Sequence, residues 1–366
     1  MFDTVYVEED AFEYETTRRI LGKLTEHSPA GKVSAVTVKR AADVLARRCQ
    51  DYGLQRSNPK LILAVNRGPF IFEGSRNCQD FGSDVFRYCS VAVNCIARCR
   101  YCYLSGASRS ANLTVFVNKE DCFRELSEFI GGKRACGGNT PRCEDVNNGK
   151  SQEASGRLLI PVSYDNDVYA MEGLLGYVKD FAGLAVRLRR EGLDGFDFEV
   201  RTKCGTKSFL DGIDNAAAEN MVFTWSVAPV NDIRLFEPAT SPLKNRLDAA
   251  EYALKKGFRV RLAFDPVLAV LPGWREDYAS LVDEIRSRGI VPALDGAGVG
   301  GFRVPADYLK VMRKNDPAAA PLFDLYHESR GTLCYSRERE QAVTEHVRSC
   351  LTGAGLDASK IYSPAV

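Results

Sequence analysis

The sequence predicts an α/β fold: six βα units in succession, of the kind that build a parallel sheet or a TIM-type barrel, preceded by a small N-terminal α/β segment and followed by a C-terminal extension. Three observations predict it. From residue 86 onward, short apolar runs alternate with amphipathic stretches six times, the pattern of parallel strands joined by right-handed crossovers. Helix punctuation fits that alternation: Ser241-Pro242 opens one helix, and Gly257 and Gly289 close two. The run Asn94-Cys95-Ile96-Ala97-Arg98-Cys99-Arg100-Tyr101-Cys102-Tyr103-Leu104 follows the first strand of the series. In such barrels the C-terminal strand ends carry the chemistry.

Residues 1–85 read as the N-terminal α/β segment. Thr4 to Val7 suits a strand, Glu15 to Leu24 a helix with Ile20, Leu21 and Leu24 on one face, and Lys60 to Val65 and Gly68 to Gly74 two more strands. The barrel spans residues 86–290. Its strands are expected at Val85 to Val93, Leu113 to Val117, Gly156 to Tyr164, Phe196 to Lys203, Met221 to Ala228 and Phe258 to Phe264. Asn118 is a good N-cap for the second helix, and Val168 to Arg190 is helical. After Ser241-Pro242, Leu243, Leu247, Ala250 and Leu254 form one stripe. Trp274 to Arg288 carries Tyr278, Leu281, Val282 and Ile285 inward. Residues 131–156, rich in Gly, Asn and Ser, read as a loop inserted into the barrel. Residues 291–366 form the extension, with a terminal helix over Ser336 to Leu351.

Composition bounds the rest. The chain has 366 residues, 45% hydrophobic and 27% charged, enough for a large core without disulfides. A formal net charge of +1 gives no basic footprint for nucleic acid, although a local patch is compatible with it. No run of 18 apolar residues occurs, so no membrane partner is expected. The acidic N-terminus lacks a signal-peptide pattern. A cytoplasmic location is expected, where the twelve cysteines stay reduced.

Cys95, Cys99 and Cys102 have the spacing C-x3-C-x2-C. Three soft thiolates in one loop can hold three irons of a [4Fe–4S] cube and leave the fourth open. An open position is what a catalytic metal needs. A structural zinc is the plainer alternative, but it wants a fourth ligand, and Cys89 sits within a strand.

The cysteine run and its flanking tyrosines resemble the radical S-adenosylmethionine (SAM) superfamily, and within it the spore photoproduct lyase family. Tyr6-Val7-Glu8-Glu9-Asp10-Ala11-Phe12-Glu13-Tyr14, Phe236-Glu237-Pro238-Ala239-Thr240-Ser241-Pro242-Leu243 and Gly273-Trp274-Arg275-Glu276-Asp277-Tyr278 are similar to family segments. So are the strand ends Arg201-Thr202-Lys203 and Thr224-Trp225-Ser226. The resemblance implies a partial (β/α)6 TIM-type barrel of the radical SAM type, a [4Fe–4S] cluster on Cys95, Cys99 and Cys102, and SAM chelated to the open iron. It implies Tyr103 against the adenosyl group, Lys203 and Ser226 on the polar groups of SAM, and Tyr101 and Tyr335 as hydrogen-atom relays. It further implies a flavodoxin- or ferredoxin-type electron donor, and a thymine photoproduct in DNA as substrate. A relative acting on another substrate and a non-catalytic Fe–S module are the alternatives.

One position departs from the family. The family's hydrogen-donor cysteine, at the end of the third barrel strand, aligns with Val162, which has no S–H. Replacement thiols are sought among Cys334, Cys204, Cys136 and Cys143. Asp165 and Asp167 suit either acid–base chemistry or helix capping. Gly296-Ala297-Gly298-Val299-Gly300-Gly301 matches G-x-G-x-x-G, but no helix opens at its end, so it reads as a flexible turn. His27, His327 and His346 are scattered.

Overall fold

The computed structural model describes residues 2–26, 33–45, 50–75, 77–83, 85–132 and 157–364. Two sheets carry the architecture. The larger is a curled half-barrel of six strands, in the order Ile361–Tyr362, Gly296–Gly301, Arg259–Val267, Met221–Ser226, Phe196–Thr202 and Leu158–Pro161. Every neighbouring pair in it is parallel. The smaller sheet orders Ser34–Val38, Thr4–Glu8, Leu61–Ala64, Leu113–Phe116 and Ala92–Val93, with only the last strand antiparallel. The two sheets join where Phe86 bridges Leu159.

The α/β class and the parallel partial barrel are as the sequence predicts, but strand membership differs. The stretch expected as the first barrel strand breaks in two. Arg87–Cys89 pairs antiparallel with Ile71–Glu73, and Ala92–Val93 pairs with Leu113–Phe116. Leu113–Phe116, expected as the second barrel strand, lies beside Leu61–Ala64 in the smaller sheet. Leu61–Ala64 is buried along its whole length, so it needs a covered partner on both edges. The last two places in the half-barrel go to strands from beyond residue 290.

Gly296–Gly301 corrects the expectation of a flexible turn: it is a fully buried strand. Its glycines are a packing requirement. A Cβ at Gly298 would sit 2.8 Å from the Gln79 side chain, because the segment 77–83 crosses the sheet there. Ser34–Val38 has no counterpart in the sequence reading. It is an exposed edge strand without the alternation that a half-buried strand shows.

Helix boundaries follow the punctuation with two shifts. The stretch 168–190 is broken at Gly176 (φ 66°), which separates Glu172–Leu175 from Tyr177–Arg190. The helix Leu243–Lys255 starts one residue late, with Pro242 at its N-cap. The Ser241 hydroxyl instead accepts a hydrogen bond from the Gly205 amide at 2.8 Å. Gly205 permits that approach, since a Cβ there would lie 2.5 Å from the Asn245 backbone. Trp274–Ser287 buries Tyr278, Leu281, Val282 and Ile285 as expected, and Ser336 caps Arg337–Gly353 through the Arg339 amide. Most of the expected insertion, with Cys136 and Cys143, and also His27, lie outside the described residues. No described helix is long and apolar enough to cross a membrane.

Phe181, Phe196, Phe198, Phe223, Trp225 and Tyr169 are all fully buried and meet mostly edge to face between the sheet and its helices. Each such ring contributes about 1.5–3 kcal/mol by leaving water. That layer fixes the strand ends on which the site is built.

Candidate metal centre

The cysteine loop begins where Ala92–Val93 ends. It turns through two left-handed residues, Asn94 (φ 69°) and Arg98 (φ 52°). Asparagine tolerates that conformation; arginine does not adopt it freely. Arg98 is held there from both sides: its Nη1 donates to the Arg56 carbonyl at 3.2 Å, and Arg56 Nη2 donates back to the Arg98 carbonyl. Arg100 forms a two-pronged ion pair with Asp316 at 2.9 and 2.7 Å. Asn94 Nδ2 donates to the Ser110 and Asn112 carbonyls. The loop is thus clamped by its own backbone and charges.

Cys95, Cys99 and Cys102 line one cavity, together with Tyr52, Arg56 and Asn94. Among the described residues, no three His, Cys, Asp or Glu side chains converge on a position for a single metal ion. Burial pushes all three thiols up, and the Glu237 charge adds to the effect at Cys99. Such thiols ionise only when a cation arrives to compensate the charge.

The loop docks on Phe236–Pro242. The Arg100 amide donates to the Phe236 carbonyl at 2.8 Å. The next residue, Glu237, is a charge centre missed in the sequence reading. It is buried, and its Oε1 accepts from Lys203 Nζ at 2.9 Å and from the Tyr101 hydroxyl. Its Oε2 accepts from Arg246, whose side chain is 0% exposed. Lys203 also donates to the Tyr101 oxygen at 3.1 Å. Burial raises the Glu237 carboxyl, but the Lys203 and Arg246 charges and the Tyr101 hydrogen bond outweigh it and hold it at about 2. A glutamate inside an apolar-proline-threonine run was the available signal.

Asp232, on the helix Val230–Phe236 that leads into this segment, behaves oppositely. Burial, with Asp277 and Glu237 nearby, raises its carboxyl to about 7. The folded protein holds this proton up to about pH 7, whereas the unfolded chain releases it near 4. Stability from Asp232 is therefore present at low pH and lost as pH rises from about 4 to 7. Asp232→Asn is expected to gain on the wild type across that window by on the order of 3 kcal/mol. Urea unfolding at pH 4.5 and pH 8 measures it, and an equal difference at both pH values would refute the assignment.

The remaining predicted residues separate into groups. The Tyr103 hydroxyl donates to Asp165 Oδ1 at 3.2 Å, and Asp165 also accepts from Ser90. Asp167 is a brace: it accepts from Ala170 N, Thr202 Oγ1 and Lys203 N at 2.7–2.9 Å. The capping alternative describes it. Ser226 is buried at its strand end and gives its carbonyl to Arg246. Tyr335 is not hydrogen-bonded to the loop. It stacks on Tyr326, lies under Arg339, and accepts from the Ala269 amide at 3.2 Å.

Of the replacement thiols, Cys334 points to the His327 carbonyl and Cys204 to Thr206. Cys89, weighed as a zinc ligand, instead lies 3.1 Å from Cys122, and both are buried. Val162 is 0% exposed. Among the described residues, Cys78 is a thiol that reaches this rim, in contact with the Tyr164 hydroxyl at 2.5 Å. The sequence places it in a loop of the N-terminal segment and gives no sign that the loop crosses the barrel.

The residues present fit an Fe–S cluster with one open iron. Three soft donors face one cavity, Arg56 also lines it, and the Lys203 charge bears on Cys99 and Cys102. Asn94 lines the same cavity, and its Oδ1 is buried without a hydrogen-bond partner.

A family model described as spore photoproduct lyase matches residues 202–294. No curated protein matches the chain. Among solved structures, a spore photoproduct lyase complexed with dinucleoside spore photoproduct superposes with a TM-score of 0.75 at 17% identity. The match covers 100% of this chain and 98% of that one. A double mutant of spore photoproduct lyase, with bound AdoMet and dinucleoside spore photoproduct, gives 0.74 at 18% identity over the same shares. In sequence over residues 202–294, and in fold over its whole length, this chain stands alongside spore photoproduct lyase, the family it resembles.

Proposed function

We propose that this protein is a radical SAM enzyme of the spore photoproduct lyase type. One observation carries the reading: three thiols face one cavity, on a loop seated against the Phe236–Pro242 segment that the family model covers. A [4Fe–4S] cluster with SAM on its open iron supplies, when bound, one electron to the sulfonium and a 5′-deoxyadenosyl radical.

The chain's share is placement. Cys95, Cys99 and Cys102 hold three irons. Arg56, Arg98, Arg100 and Asp316 keep the loop in shape when the thiolates gather charge. Glu237 fixes Lys203 and Tyr101 in one orientation, so that the ammonium is held in place for the polar part of SAM. Tyr103, oriented by Asp165, forms the adenosyl wall, and Ser226 ends the adjoining strand. Tyr101 and Tyr335 are the proposed relay residues. The bound dinucleoside photoproduct of the solved lyase supports a thymine photoproduct as substrate. A flavodoxin- or ferredoxin-type donor and a cytoplasmic location complete the proposal. Val162 favours a second reading, a relative that acts on another substrate and needs no thiol at that position.

Anaerobic reconstitution with iron and sulfide, followed by dithionite and SAM, is expected to yield a brown protein and 5′-deoxyadenosine. A protein that binds iron but forms no 5′-deoxyadenosine is not this enzyme. Adding dinucleoside photoproduct separates the readings: restored thymine supports repair, and 5′-deoxyadenosine without restored thymine supports the second.

A further inference from the structure

The smaller sheet carries a crevice of its own. Its parallel strands stand in the order Ser34–Val38, Thr4–Glu8, Leu61–Ala64 and Leu113–Phe116. From Thr4–Glu8 the chain goes outward to one neighbour and then crosses back to the other. The strand order therefore reverses between Thr4–Glu8 and Leu61–Ala64. At such a reversal the connections diverge, and open parallel sheets take ligands in the crevice outside their carboxyl ends. This chain has a cavity of about 290 Å³ there. Glu8, Arg40, Ala64 and Arg67 line it, each at a strand end or within three residues of one.

From that end the cavity runs across the sheet to Phe116, Thr114, Val93 and Asn94. Glu8 and Val93 stand on strands three places apart, a span of about 14 Å at the usual strand spacing. The lining changes along this length. At the first end Arg67 donates to Glu8 at 2.7 Å, and the Val65 amide takes the other carboxylate oxygen at 3.0 Å. Arg40 lies 3.8 Å from Glu8, beyond hydrogen-bond reach, and its side chain is 53% exposed. Two arginines thus face one carboxylate, and the donors of Arg40 are open to an anion. The middle is apolar, with Leu45, Ala64 and Phe116.

The far end holds an acceptor. Asn94 Nδ2 donates to the Ser110 and Asn112 carbonyls. Both partners are acceptors, which fixes the amide orientation and leaves Oδ1 as the other atom. Asn94 is 4% exposed, and its Oδ1 has no partner among the described residues, an arrangement that calls for a donor from elsewhere. A bare anion uses only the Arg40 end of this length. A molecule that uses all of it has an anionic head, a flat apolar body and an N–H donor at its tail.

We propose that this cavity binds an adenine mononucleotide, with its phosphate on Arg40, its base along Phe116 and its exocyclic amine on Asn94 Oδ1. A purine fits the span better than a pyrimidine. The inference goes beyond the enzyme reading and does not depend on it. Among the described residues Asn94 alone lines both this cavity and that of the three cysteines, so occupancy bears on the residue at which the cysteine loop starts.

The test is equilibrium dialysis of labelled AMP against the reconstituted protein, with SAM in excess to fill the cluster site and no reductant. Saturable binding of one AMP per chain is expected. Adenosine lacks the anion, and IMP turns an acceptor toward Asn94 in place of the amine. Each is expected to bind at least about 10-fold more weakly, the scale of one lost charged or polar partner. Arg40→Ala, at a half-exposed side chain, is expected to weaken AMP about 10-fold and leave adenosine unchanged. No saturable AMP binding up to about 1 mM overturns the proposal. So does IMP that binds as well as AMP, AMP that binds Arg40→Ala as well as wild type, or inorganic phosphate that displaces AMP at equal concentration. None of these results touches the enzyme reading, which 5′-deoxyadenosine formation decides separately.

Discussion

Glu237→Ala is expected to destabilise the protein by about 3–5 kcal/mol, the cost of leaving buried charges without their partner. Arg246 is fully enclosed and Lys203 is partly buried, its side chain 18% exposed, and both point at this one carboxylate. Removing it leaves two cations facing each other and Tyr101 without its acceptor. For a chain of this length the loss corresponds to a melting temperature lower by about 4–7 °C. Glu237→Gln is expected to cost less, because an amide oxygen still accepts from one cation while the neutralising charge is gone. The effect should reach the site as well. The Arg100 amide is bonded to the neighbouring Phe236 carbonyl, so a displaced segment displaces the cysteine loop, and iron uptake should fall in parallel with stability. Calorimetry of the two variants with iron analysis measures both. An alanine variant as stable as wild type would show that the cluster of charges does not hold the segment.

Cys99→Ala is expected to leave the fold and remove the chemistry. The loop does not depend on this thiol for its shape: Arg56, Arg98, Arg100 and Asp316 clamp it, and Asn94 ties it to Ser110 and Asn112. Far-ultraviolet circular dichroism should therefore be unchanged. The reconstituted variant should lose the absorbance near about 400 nm that such clusters carry. Formation of 5′-deoxyadenosine should fall by more than about 100-fold, since even indirect supports of a metal site are worth 10–100-fold. A variant that keeps both the colour and the activity would remove the cluster from the mechanism. Ser226, in contrast, gives its carbonyl to Arg246, and a Ser226→Ala change retains that bond.

Local signals carried much of the architecture. The helix ends at Gly257 and Gly289 and the cap at Ser336 are contained in a few residues, and they stand in the structure with left-handed glycines and a capping hydroxyl. The run Cys95–Cys102 needs only spacing to show its chemistry. The run from Phe236 to Pro242 could be seen as distinctive, but not that its glutamate binds Lys203, 34 residues earlier. Gly296–Gly301 misled because glycine has two uses. Flexibility is the local one, and close approach to a crossing chain is the one at work beside Gln79.

By itself the sequence determined most of the strand and helix segments of an α/β chain, and which three thiols can share a cluster. Both depend on contacts within a few residues or on ligand type. Only the tertiary structure decided which strands pair, that Glu237 holds Lys203 and Tyr101 together, and that Cys78 lies against Tyr164. Those choices come from burial and charge pairing between segments tens to hundreds of residues apart. No local pattern encodes such distances, because the free energy that selects them exists only once the core has closed.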